Sequence, residues 1–173
     1  MAMTYRITFV CTGNICRSPM AEAVLRRILD LNSGPRPASG SGDVVVDSFG
    51  TTGWHVGEPA DPRAVAALRR RGYDISHRAR KWRPELFAAR DLVVALDSGH
   101  LADLRAGAPD PAAAGRVWLL RSFDPATRGS GGSELDVPDP YHGGAVVFDR
   151  ALDLIERACR GLADRVRGVA APT

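Results

Sequence analysis

Four short strand-like runs, at 7–11, 44–49, 92–96 and 117–120, alternate along this chain with stretches of helical periodicity. The first is β-branched and aromatic, and the last two are apolar without a break, short enough for strands buried on both faces. Parallel neighbours need crossover connections, so the alternation predicts a single doubly wound α/β domain, with helices on both faces of a four-stranded parallel sheet. The helical segments show the matching stripes. From 19 to 30, Met20, Val24, Ile28 and then Leu31 share a face; Asp61-Pro62 opens another helix carrying Val65, Leu68 and Arg69 and closing at Gly72. The last helix presents Phe148, Leu152, Ile155, Cys159, Leu162 and Val166 at spacings of three and four, a core-facing stripe. By composition 33–42 is a loop, and 128–133 is the other biased segment.

With 173 residues, 45% of them hydrophobic, the chain suits one globular domain over 1–173 with an ordered core at about 5–168. The formal charge is only +3 and the two signs alternate, which disfavours a dedicated nucleic-acid surface. Near the amino terminus the only strongly apolar stretch is 7–11, too short for a signal-peptide core or a membrane span. The expectation is a soluble cytoplasmic protein, and export by a route that leaves no sequence mark is compatible with it. Three cysteines, two of them five residues apart, do not form a secreted disulfide framework and read as reduced thiols.

In doubly wound sheets ligands bind beyond the carboxyl ends of the strands, which directs attention to the loop after the first strand. There lies Cys11-Thr12-Gly13-Asn14-Ile15-Cys16-Arg17-Ser18. Such a loop can curl so that successive N–H groups face an anion, with the next helix adding its positive end; Gly13 and Asn14 tolerate the backbone angles this requires. Arg17 supplies a planar fork for two phosphate oxygens. The donors that bind phosphate also stabilise a thiolate on Cys11, and Ser18 can donate a hydroxyl to the sulfur when it departs.

The segment from Phe9 to Glu22 resembles the signature of the low-molecular-weight protein-tyrosine phosphatases. So, in order, do Ser48-Phe49-Gly50-Thr51 with Trp54-His55, Asp74 to Arg80, Leu96-Asp97, and Asp136-Val137-Pro138-Asp139-Pro140-Tyr141. The resemblance implies hydrolysis of phosphotyrosine through a phosphocysteine on Cys11, with Arg17 as phosphate clamp and the loop residues Thr12 to Cys16 binding phosphate. It also implies Trp54 and Tyr141 as walls for the substrate ring, and Ser48 and His77 as supports of the loop through Asn14. A phenolate leaving group benefits from a proton, and the resemblance points to Asp139 as its donor. Asp124 and Asp136 are rivals, but only Asp139 has an aromatic residue just beyond its proline. Asp97 reads as the N-cap of the following helix. Phe49 departs from the small residue expected there, and His142 stands where some members have a second tyrosine.

Cys16 reads either as a partner that captures oxidised Cys11 in a reversible disulfide or as a small buried residue; Cys159 reads as inert core. An arsenate reductase on the same fold would need further cysteines, and 70–100 contains none. Protein-arginine phosphatases resemble the family too, but tend to carry threonine where this chain has Ile15. A phosphotyrosine-binding module with a dead site is the non-enzymatic alternative, and a complete Cys11, Arg17, Ser18 and Asp139 set argues against it. Phosphotyrosyl proteins are the implied partners, with inorganic phosphate and vanadate as inhibitors. No membrane partner, cofactor or metal is expected, since no cluster of ligating residues suggests one.

Overall fold

The structure, a computed structural model, describes residues 4–31 and 43–170. The loop expected at 33–42 lies outside them. In chain order the elements are β1 (Tyr5–Cys11), α1 (Arg17–Ile28), β2 (Val44–Gly50), α2 (Pro62–Arg70), a 3-10 segment (Pro84–Ala89), β3 (Leu92–Ala95), α3 (Ser98–Ala106), α4 (Pro111–Ala114) and β4 (Val117–Leu119). Three short 3-10 segments follow (Leu120–Phe123, Pro125–Thr127 and Gly132–Leu135), and then α5 (Ala145–Ala170).

The apolar runs are continuous because alternate residues serve different cores. Ile7 and Phe9 of β1, with Leu92 and Val94 of β3, join α1, α2 and α5 on one face. Val10, Val93 and Ala95 face the other way, toward Phe87, Leu104 of α3 and Ala113 of α4. All six residues of the α5 stripe are buried, from Phe148 to Val166, each such side chain contributing roughly 1.5–3 kcal/mol by leaving water. Gly161 lets α5 lie directly on the 120s segment, because a methyl group there would collide with the Phe123 carbonyl. Among the described residues no helix is long and apolar enough to cross a membrane.

The four strands are all parallel, in the order β2-β1-β3-β4. The chain leaves β1 toward β2 and then returns to β1's other side, so strand order reverses beside β1 and opens a crevice at its carboxyl end. Cys11 sits there, paired in register with Gly50.

Three local expectations change. α1 begins at Arg17, before Pro19, with Cys16 at its N-cap. In α2 the buried residues are Ala64, Ala67 and Leu68, while Arg69 is exposed, because the helix approaches α1 and α5 closely on its alanine face. The last strand is not buried on both faces. β4 is a sheet edge, and Trp118 is 46% exposed between buried Val117 and Leu119.

Candidate active site

Cys11 closes β1, and the loop from it runs directly into α1. Four loop carbonyls are gripped from outside. Cys11 O accepts from Thr51 N at 2.8 Å, Thr12 O from Thr52 N at 3.0 Å and its hydroxyl at 2.9 Å, Asn14 O pairs with His77 Nε2 at 2.7 Å, and Ile15 O accepts from Asp61 N at 2.8 Å. In a trans peptide the N–H lies antiparallel to the C=O. The N–H groups of Thr12, Gly13, Ile15 and Cys16 therefore turn away from those grips, forming with the amino end of α1 a nest for an anion. Gly50 permits this closeness: a Cβ on it would stand 2.7 Å from Thr12 O and 3.1 Å from both Asn14 N and Gly13 C. A Cβ on Gly13 would lie 2.9 Å from the His55 ring.

Asn14 adopts φ 58°, the left-handed region that asparagine tolerates. Its side chain is buried behind the loop. Oδ1 accepts from Arg80 N at 2.9 Å, and Nδ2 donates to Ser18 Oγ at 2.8 Å and Ser48 Oγ at 3.0 Å. The Ser48 hydroxyl then donates to Glu22 Oε2 at 2.6 Å. Burial raises the Glu22 carboxyl above its ordinary range, opposed by that Ser48 bond and by Arg80. With one Ser18 lone pair occupied by Asn14, its hydroxyl hydrogen is left for Cys11 Sγ at 2.9 Å, with Phe49 O the more distant acceptor at 3.4 Å. Ser48 and His77 thus both touch Asn14. Burial lowers His77 below the ordinary imidazole value, against the pull of the Asn14 carbonyl. Phe49, the departure from the family pattern, packs edge-on against Trp82 with Arg80 over its ring at 4.3 Å.

Arg17 is almost fully buried. Nη1 donates to Asp97 Oδ2 at 2.7 Å and to Val137 O at 2.9 Å, while Nη2 lies 3.5 Å from Asp139 Oδ2. Asp97 is also the α3 N-cap, Oδ1 accepting from His100 N at 2.9 Å. Burial acts to raise its carboxyl, but the bond from the His100 main-chain N–H and the bond and charge of Arg17 prevail and hold it below the usual range.

A cavity of about 260 Å³ opens above the loop. Cys11, Thr12, Gly13, Ile15, Cys16 and Arg17 form its floor, and Trp54, His55, Asp139, Tyr141 and His142 its walls. Trp54 is 75% exposed, and Tyr141 carries His142 edge-on at 5.1 Å. Asp139 faces the cavity while its Oδ1 accepts from Tyr141 N at 3.1 Å. The rival carboxylates point elsewhere. Asp136 caps α3 through Ser98 N at 2.7 Å, and Asp124 accepts from Ala126 N at 2.9 Å with Oδ2 facing Arg157 at 3.4 Å. Burial, with the Asp61 charge second, pushes the Cys16 thiol up, so Cys16 stays protonated beside Cys11.

Several contributors were not found by sequence reasoning. Arg63 grips Asp61 through two nitrogens at 2.7 and 3.0 Å, donates to the Tyr141 and Gly143 carbonyls at 2.8 and 2.9 Å, and covers the Tyr141 ring at 5.6 Å. It joins the 139–143 segment to α2. Thr52, Arg80, His100 and the Asp97 bond to Arg17 were given no role either, although Arg80 and Asp97 lie in segments that resemble the family and Thr51-Thr52 directly follows the strand that pairs with β1.

Residues 6–170 match the family model described as low molecular weight phosphotyrosine protein phosphatase. The chain belongs to that family. It is 53% identical over 166 residues to a low molecular weight protein-tyrosine-phosphatase of Streptomyces coelicolor, covering 95% of each chain. Among solved structures, a protein tyrosine phosphatase from Entamoeba histolytica superposes with a TM-score of 0.82 at 29% identity, over 96% of this chain and 99% of that one. The YwlE arginine phosphatase from Geobacillus stearothermophilus gives 0.77 at 31% identity, over 95% and 94%. Low-molecular-weight phosphatases are cysteine-dependent phosphoric monoester hydrolases, and the cavity floor supplies the cysteine and arginine that such chemistry uses.

Proposed function

We propose that this chain hydrolyses phosphotyrosine on proteins through a phosphocysteine on Cys11, acting as a single catalytic domain over 1–173. The supporting observation is the meeting of Cys11, Arg17 and Asp139 at one cavity with aromatic walls. The Cys11 thiolate attacks phosphorus, forming the S–P bond as the P–O bond to the tyrosyl oxygen breaks. Asp139, protonated in this step, passes its proton to the departing phenolate. Arg17, with Nη1 committed to Asp97 and Val137, offers its remaining N–H groups to the equatorial oxygens alongside the loop N–H groups. In the second step the Asp139 carboxylate takes a proton from water, whose oxygen attacks phosphorus. The sulfur leaves as thiolate, accepting a hydrogen bond from Ser18.

Trp54 and Tyr141 bracket a slot for an aromatic ring, and Ile15, 8% exposed, lines it with an apolar side chain. That surface supports phosphotyrosine over phosphoarginine as substrate. The third cysteine supports no reductase cycle, because Cys159 is buried in the core with its sulfur toward Ala21 O. Partners are phosphotyrosyl proteins, with phosphate and vanadate as competing anions, and the site of action is the cytoplasm.

The test compares wild type and Cys11→Ser on phosphotyrosyl and phosphoarginyl peptides. Turnover of the first substrate only, abolished in Cys11→Ser while vanadate still binds, is the expected result. Residual turnover within about tenfold of wild type would reject Cys11 as nucleophile, and faster release from phosphoarginine would reject the substrate.

A further inference from the structure

His100 has no place in the chemistry above, yet it is 4% exposed and stands between two parts of the site. Its Nε2 lies 2.8 Å from the hydroxyl of Thr12, the residue after Cys11. Its Nδ1 lies 3.1 Å from Asp97 Oδ1, and the other oxygen of that carboxylate holds Arg17 at 2.7 Å. The main chain runs from Thr12 round the loop to Arg17, and side chains lead back from Arg17 through Asp97 and His100 to Thr12. The anion nest is the inside of a closed ring.

The hydrogens on this path have one favoured arrangement. Nδ1 is buried without an aligned hydrogen bond but faces a carboxylate oxygen. A lone pair there would meet negative charge, whereas an N–H would be attracted to it. Burial keeps the imidazole neutral, lowering it to about 4, so the single proton belongs on Nδ1. Nε2 is then an acceptor, and the Thr12 hydroxyl must be the donor.

We propose that His100 is a positioning residue, which closes the ring between Thr12 and the Asp97–Arg17 pair and keeps the arginine fork in register with the loop. The proposal rests on the phosphatase reading for its kinetic consequence, and on the contacts and burial of His100 for its hydrogen arrangement. Breaking the ring loosens Arg17 relative to the loop without removing any group that touches substrate. Displacements below 1 Å at such a site are worth about tenfold in rate.

The experiment measures kcat and KM for nitrophenyl phosphate, vanadate affinity and thermal midpoint in His100→Leu, Thr12→Val, the double variant and His100→Gln. The two single variants should each lose about tenfold in kcat, with a smaller change in KM. The double variant should be no worse than the weaker single, since a ring opened at one link is not opened further at the next. Glutamine, whose amide oxygen can accept from Thr12, should recover to within about threefold of wild type. Losses that multiply in the double variant, or a His100→Leu protein with unaltered kcat, would overturn the proposal. If His100→Leu does not fold, Thr12→Val and His100→Gln carry the comparison, and a glutamine variant no better than Thr12→Val defeats it. Nitrogen NMR of the imidazoles in the intact wild-type protein should show His100 as the neutral Nδ1–H tautomer at neutral pH; the Nε2–H form or an imidazolium would refute the arrangement. A wild-type protein without phosphatase activity would strike down the function instead, leaving the NMR and vanadate results to decide on the ring.

Discussion

Replacing Gly50 by alanine adds one methyl group at the end of β2, directly behind the anion nest. Its carbon would stand 2.7 Å from Thr12 O, roughly 0.7 Å inside the 3.4 Å at which ordinary contact begins, and 3.1 Å from Asn14 N and Gly13 C. All three atoms are backbone, so no side-chain rotation relieves the clash. β2 cannot retreat without breaking its pairing with β1, where Gly50 faces Cys11. The loop has to yield instead. Overpacking of this kind costs about 1–3 kcal/mol, which for a chain of this size lowers the thermal midpoint by roughly 3–10 °C. Moving the loop by a substantial part of an ångström relative to Arg17 should lower kcat by about 10–100-fold. Stopped-flow turnover of nitrophenyl phosphate, with thermal unfolding followed by circular dichroism, measures both. Gly131→Ala is the control, because nothing lies within 4 Å of its added carbon and its φ of −152° is open to any residue. A Gly50→Ala protein with kcat within about twofold of wild type would show that the end of β2 does not set the loop's position.

Asp139→Ala should lose about 10²–10⁴-fold in the first chemical step on phosphotyrosyl peptide, but much less on nitrophenyl phosphate, whose leaving group needs little protonation. Single-turnover kinetics check this, and the same selective loss in Asp136→Ala or Asp124→Ala would move the acid there. Burial holds both His77 and His100 below the ordinary value of 6.5, His100 at about 4. Between those values the unfolded chain binds protons that the folded chain excludes, so stability should fall as the pH drops from 6.5 toward 4, by roughly 3 kcal/mol for His100 alone. Urea titrations of wild type and His100→Gln across that window should show a shallower decline in the variant, and parallel curves would contradict it. Peroxide should inactivate the wild type in a way that thiols reverse, whereas Cys16→Ser should lose activity permanently if Cys16 captures the oxidised Cys11. Equal recovery of the two proteins would leave Cys16 as packing.

The order of strands and helices, the α5 stripe and the Cys11-to-Ser18 loop could all be read along the chain, because each rests on local spacing. Period-two and period-three-to-four patterns need no knowledge of distant residues, and a nest is built from consecutive peptides. The pattern could not say which strand would be the edge, since burial of Trp118 depends on whether a further strand follows β4. Nor could spacing alone sort the carboxylates. Asp97, Asp124, Asp136 and Asp139 all sit beside turns, and only packing brings Asp97 and Asp139 to Arg17 while turning Asp136 to Ser98 and Asp124 to Ala126 and Arg157. Thr12 and His100 lie 88 residues apart, and Arg17 and Val137 lie 120 apart; such pairs have no period to betray them. Local sequence determined where an anion could be held and which residue types would hold it. Tertiary packing determined which distant side chains tighten the ring around it, because a hydrogen bond depends on distance and angle in space, and chain folding sets those without regard to sequence separation.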